Sequence, residues 1–232
     1  MTTVTMTIST SARSETTDKM HAGATVRSIA QRADGCRLIS VEISNGSEGE
    51  LVEFVLLEEL FDELLIATND DVSEKLPALD FYSQVSAAYF SACSSFAYVQ
   101  SSLKALYRKL IVKGFSKEAS RDAIEIVRER GFVDEEDIAL RRADLMIAKL
   151  WGRSRILKKL YEEGFPSQVL EYVSESIDGV DFIGNCESAI HKKYPVIPSE
   201  RRERDKMYAA LIRLGYSSSD IKRAILKIQE NE

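Results

Sequence analysis

The chain has 232 residues, 44% hydrophobic and 29% charged, which supports a sizeable core and excludes a disordered polyelectrolyte. Its net charge of −6 excludes tight, nonspecific duplex binding, which rests on neutralising many phosphates. Three scattered cysteines (Cys36, Cys93, Cys186) and two isolated histidines (His21, His191) supply neither a disulfide framework nor a metal cluster, so no cofactor is expected.

Residues 1–24 are rich in Thr and Ser and lack the basic start and apolar block of a secretory signal, so a disordered tail is expected there. No stretch approaches the ~18 to 20 apolar residues of a membrane span, and a cytoplasmic protein without a membrane partner is expected. Residues 25–80 read as a small antiparallel β unit with strands over 25–32, 37–44 and 50–57. Val41 and Ile43 alternate, and Asp34-Gly35 and Asn45-Gly46 are turn signals. A short helix over 60–66 follows, and the run from Glu58 to Glu63 reads as a solvated acidic face. Residues 1–80 carry 6 Lys/Arg against 15 Asp/Glu, whereas residues 81–232 carry 25 against 22. The near-neutral remainder favours a protein partner.

An internal repeat of about fifty residues occupies 81–232. Gly114, Gly164 and Gly215 set its register, each followed by an aromatic (Phe115, Phe165, Tyr216) and preceded four residues earlier by Leu110, Leu160 or Leu211. Upstream, Leu103, Leu106, Tyr107 and Leu110 hold the i, i+3, i+4, i+7 spacing of a helix face. Downstream, Ser120, Ala123, Ile124 and Val127 form the next face, with counterparts in both later copies. A helix therefore runs into each glycine, which takes the left-handed conformation beyond a helix end, and the aromatic folds back over the last turn. Ser116 and Ser217 are placed to cap the following helix, and Pro166 suits its first turn.

Each copy has room for one further helix upstream, over 81–97, 134–151 and 182–194. Asp134 is a candidate N-cap and Gly152 a candidate stop. The fold class is mainly α: three tandem three-helix repeats (81–131, 132–179, 180–232) in an extended curved array behind the β unit. Trp151, Tyr107, Tyr161 and Tyr208 fall at packing positions. Neither a phosphate-binding glycine loop nor a nucleophile elbow occurs, and the acidic run Asp134 to Asp137 suits helix capping better than a metal, so the chain reads as non-enzymatic.

The segment from Gly131 to Phe165, with Asp134, Glu135, Ala139, Gly152, Arg155, Ile156, Leu160 and Gly164, resembles the central module of the RecX family of recombinase regulators. Arg201 to Leu226 is similar to the family's C-terminal module. Repeat one departs from the pattern: Gln100 and Ala105 stand where the family usually has arginine and glutamate, although Ser102 matches. The resemblance implies tandem three-helix repeats. It also implies a partner, a RecA-type recombinase filament on single-stranded DNA, whose growth, ATPase and strand exchange are restrained.

For such a partner the candidate contacts are Arg153, Arg155, Lys158 and Lys159 in repeat two, and Lys192, Lys193, Arg201, Arg202 and Arg204 in repeat three. Arg153 and Arg204 replace Leu103 on the inner face, where the alternative to docking is a buried, paired group. The plain alternative is a solvated face with pairs Lys158–Glu162 and Lys159–Glu163. A monomer is expected, with weak direct DNA contact at most. A nucleic-acid-binding repeat module and a general interaction scaffold are the alternative functions.

Overall fold

The computed structural model describes residues 23–45, 48–98, 101–194 and 196–230. The expected tail lies outside the described residues except for Gly23 and Ala24, which open a strand instead; Gly46, Gln100 and Pro195 also lie outside them. The chain divides into two compact units, Met1–Asp80 and Phe81–Glu232.

The first unit is a three-stranded antiparallel meander of β1 (Gly23–Gln31), β2 (Cys36–Asn45) and β3 (Glu48–Leu57). Gly35 takes the left-handed turn position between β1 and β2. Ile39, Val41 and Leu56 are fully buried, and α1 (Glu58–Leu64) adds Leu60 and Leu64 to the core. The helix starts two residues before the expected position, and Glu58 is not part of a free acidic face: it accepts from Arg37 Nε at 2.9 Å. Residues 69–72 return along the edge of β1, where Val26 N–H donates to the Asp70 carbonyl and Val72 N–H to that of Ala24. That return pairs an otherwise open strand edge.

Among the described residues the second unit holds helices in three sets of three. They are α2 (Leu76–Tyr98, which begins before the unit boundary), α3 (Leu103–Val112) and α4 (Lys117–Glu129); α5 (Glu135–Ala148), α6 (Arg153–Glu163) and α7 (Ser167–Ser176); and α8 (Phe182–Lys193), α9 (Arg201–Arg213) and α10 (Ser218–Glu230). No helix among the described residues is long and apolar enough to cross a membrane.

The three glycine corners share one geometry. Gly114, Gly164 and Gly215 have φ of 95°, 97° and 95°. The aromatic N–H behind each reaches back to the leucine carbonyl, Phe115 to Leu110, Phe165 to Leu160 and Tyr216 to Leu211, at 3.2 Å in every case. This is the six-to-one bond of a Schellman stop, and the glycine N–H completes it on the carbonyl of Ile111, Tyr161 or Ile212. Ser116 Oγ accepts from Ala119 N and Ser217 Oγ from Asp220 N, starting α4 and α10, while Pro166 stands at the cap position of α7.

One apolar core runs through the second and third repeats. Ile156, Leu160, Val173, Ile190, Met207, Leu211 and Ile221 are at most 2% exposed within it. Each such side chain contributes about 1.5 to 3 kcal/mol of transfer free energy. The first repeat buries Val85, Leu106, Leu110, Ala123 and Val127, and polar bonds add to this: Arg130 Nη1 donates to Tyr89 Oη at 2.7 Å, and Lys113 Nζ to Ser91 Oγ at 2.7 Å, tying α2 to the α3–α4 pair.

Successive repeats join at the glycine corners. Ser102 Oγ, the cap of α3, donates to the Glu163 carbonyl beside Gly164 at 2.7 Å. In the second joint Gly152 N–H donates to the Leu214 carbonyl at 2.8 Å, and Ser154 Oγ to that of Gly215 at 2.8 Å. A Cβ on Gly152 would lie 2.2 Å from the Gly215 carbonyl carbon, and one on Gly215 would lie 2.5 Å from Arg155 Cβ. A Cβ on Gly114, at the first corner, would meet nothing within 4 Å.

These contacts rank the glycines. Gly114→Ala carries only the strain of a left-handed side chain, about 1 to 2 kcal/mol. Gly152→Ala, at an ordinary negative φ, forces two backbones apart and costs more than about 3 kcal/mol. Thermal unfolding followed by circular dichroism should place the melting temperature of G152A below that of G114A; the reverse order would contradict the tight joint.

Candidate functional site

The second joint builds a charged cleft. Helix α5 is ended not by Gly152, as the sequence suggested, but by Leu150, whose φ of 60° turns the chain. The N–H of Leu150 donates to the Ile147 carbonyl and that of Trp151 to Met146. Gly152 is extended (φ −79°) and caps α6; glycine is required there because the Gly215 backbone occupies the Cβ position. The buried Tyr216 hydroxyl donates to the Leu150 carbonyl at 2.8 Å, and burial pushes its pKa up, so it remains a donor.

Trp151 is thereby fixed at the mouth of α6. The Arg155 guanidinium lies over its ring at 3.9 Å from the centroid, a cation–π contact that orients the planar donor fork. Lys158 and Lys159 follow one helical turn later, and α9 supplies the opposing wall with Ile212 and Arg213. The cleft is an open groove of about 930 Å³, lined by four cationic side chains against one carboxylate, Glu162. The expected pairs within α6 exist but are long, Lys158–Glu162 at 4.0 Å and Lys159–Glu163 at 3.9 Å. Such exposed pairs contribute only about 0 to 1 kcal/mol, so the lysines are readily re-paired.

Three of the nine candidates, Arg155, Lys158 and Lys159, thus share one cleft. Arg153 is committed elsewhere: Nη1 pairs with Asp178 at 2.5 Å and Nη2 donates to the Ser174 carbonyl and hydroxyl, tying α6 to α7. Arg204 is exposed rather than buried on an inner face. Arg201 and Arg202, also exposed, share that first turn, with Arg201 roughly 18 Å of helix from Arg213. Lys192 and Lys193 occupy the last turn of α8, where they complement the helix dipole. Tyr161, expected at a packing position, is 68% exposed. Arg213 and Ile212 escaped the sequence reading. Their signal lay in the joint, which sets each glycine corner against the helix start of the copy before it.

Burial raises the Cys36 thiol to about 11 and that of Cys186 to about 12, so neither is a ready nucleophile. The acidic run before α5 acts as caps: Asp134 accepts from Asp137 N, and Glu135 Oε1 accepts from Leu103 N at 2.9 Å, closing the start of α3.

No protein-family model matches the chain. It is 35% identical over 74 residues to Regulatory protein RecX of Caldanaerobacter subterraneus subsp. tengcongensis, a match covering 32% of this chain and only 38% of that relative. It is 26% identical over 180 residues to Regulatory protein RecX of Clostridium botulinum, covering 74% of this chain and 83% of the relative. A crystal structure of regulatory protein RecX superposes with a TM-score of 0.67 at 19% identity, over 86% of this chain and 98% of the other. RecX from Lactobacillus salivarius gives 0.54 at 16% identity, over 63% and 97%. These structural likenesses establish a shared fold.

Glu135 gives a pH test. Burial raises its pKa above the ordinary value, partly offset by the Leu103 N–H and by Arg128. The folded chain therefore holds that proton more tightly than the unfolded chain, and the group's contribution to stability falls as pH rises through the carboxylate range. Glu135→Gln retains an acceptor and carries no charge. Its stability relative to the parent should rise between pH 4 and pH 7 in denaturant titrations; a pH-independent difference would contradict the raised pKa of this half-buried carboxylate.

Proposed function

We infer from its similarity to Regulatory protein RecX of two bacteria that this chain belongs to the RecX family, and that it is a non-enzymatic regulator that docks on a RecA-type recombinase. In this reading it works in the cytoplasm as a monomer, binds the filament that the recombinase forms on single-stranded DNA, and restrains assembly, ATPase and strand exchange. The cationic cleft at the second joint is the observation that carries the proposal. It concentrates Arg155, Lys158, Lys159 and Arg213 at one place in a chain of net charge −6.

Arg155, Lys158, Lys159 and Arg213 are assigned the central contacts. The exposed Lys192, Lys193, Arg201, Arg202 and Arg204 are assigned outlying contacts that steer encounter. Arg153 is assigned to holding α6 against α7. Stacked repeats contact mainly their neighbours, so a rigid joint can present these groups without a catalytic pocket.

The experiment is a titration of the chain into a RecA-type recombinase turning over ATP on single-stranded DNA. The rate should fall at substoichiometric ratios, and the double substitution Lys158→Glu with Arg213→Glu should weaken the effect at least about tenfold. An unchanged ATPase with folded parent protein would reject the proposal.

A further inference from the structure

Resting on the reading of the cleft as a docking surface, the geometry points to its occupant: an acidic polypeptide segment carrying one aliphatic side chain among its carboxylates. Nucleic-acid backbone is the competing polyanion, and three features of the walls disfavour it.

The first is the aromatic. Single-stranded nucleic acids are held by bases stacked on open ring faces along a basic track. Trp151 is half-buried, and Arg155 already covers a face of its ring at 3.9 Å. The second is the apolar wall. Ile212 is 44% exposed beside Arg213 and offers an aliphatic contact with no stacking geometry, matched by a leucine or isoleucine side chain. The third is charge. Four cations gather at one point with Glu162 among them, and the whole chain carries −6. Such a cluster neutralises a few carboxylates, whereas nucleic-acid affinity comes from neutralising a run of phosphates.

The cations suit carboxylates individually. Arg155 is held flat by the indole, so its fork is oriented before binding, and an oriented guanidinium takes a carboxylate through two parallel bonds. Arg213 faces it from α9, so a carboxylate on either side of an aliphatic residue meets a guanidinium while the residue itself contacts Ile212. Lys158, 76% exposed, exchanges its 4.0 Å pairing with Glu162 for the incoming acid. A volume near 930 Å³ accommodates a segment of several residues.

The chain has a single tryptophan, Trp151, so its intrinsic fluorescence reports on the cleft. The probes are a ten-residue peptide of alternating Glu and Asp with one central Leu, the same peptide with Ser at that place, and a twenty-nucleotide oligothymidylate. The leucine peptide should change the fluorescence saturably. Arg213→Ala, with helix content verified by circular dichroism, should weaken it about tenfold, and Ser for Leu should weaken it several-fold. Oligothymidylate binding as tightly as the leucine peptide, or peptide affinity unmoved by both Arg213→Ala and Lys158→Ala, would overturn the inference. If no peptide binds while Arg213→Ala abolishes recombinase inhibition, the docking reading stands and the acidic-segment inference falls. If the leucine peptide binds as expected but the recombinase does not respond, the inference stands and the docking reading falls.

Discussion

The second unit depends on how closely two backbones approach at a glycine corner. A helix that ends in a left-handed glycine leaves its last carbonyls pointing outward, and the helix start of the preceding repeat supplies donors for them. Ser102 does this with its hydroxyl at Glu163, whereas Gly152 and Ser154 use N–H groups and a hydroxyl at Leu214 and Gly215. Orphaned helix ends thus satisfy one another, and the price is that no side chain fits at Gly152 or Gly215. The apolar core behind the second joint adds attraction, while the backbone contact fixes the register.

Placement of charge follows from that register. Arg155 reaches the Trp151 face because Leu150 turns the chain and Tyr216 holds the Leu150 carbonyl from the next repeat. Arg213 joins the lysines of α6 because its corner abuts the start of that helix. A one-residue slip would carry Arg213 about 100° around its own helix, and the cluster would disperse. The cleft is therefore a property of the joint, which neither repeat possesses alone.

Much of this is legible in the sequence. The glycine–aromatic pairs fixed three equivalent helix ends because a left-handed stop leaves few residue choices, and Asp134 and Ser116 read correctly as caps because their side chains act on the nearest turn. The β meander followed from alternation and the Asp34-Gly35 turn, with strand ends displaced by one or two residues. Contacts between distant residues were less visible. Gly152 read as a helix stop because its neighbour in space, Gly215, is far away in sequence. The inner-face position of Arg153 allows either a docking or a paired role, and nothing local announces Asp178 and Ser174 as its partners. Arg213 carries no local signal, because its place is on the opposite wall of a cleft that a linear pattern does not display.

The most direct measurement compares filament binding by Gly152→Ala and Gly114→Ala at a temperature where circular dichroism shows both variants helical. The first opens the joint that forms the cleft, and the second adds a Cβ that meets nothing within 4 Å. The account predicts that Gly152→Ala binds a RecA-type filament at least about tenfold more weakly while Gly114→Ala binds as the parent does. Equal binding by the two variants would contradict the claim that the joint builds the docking surface.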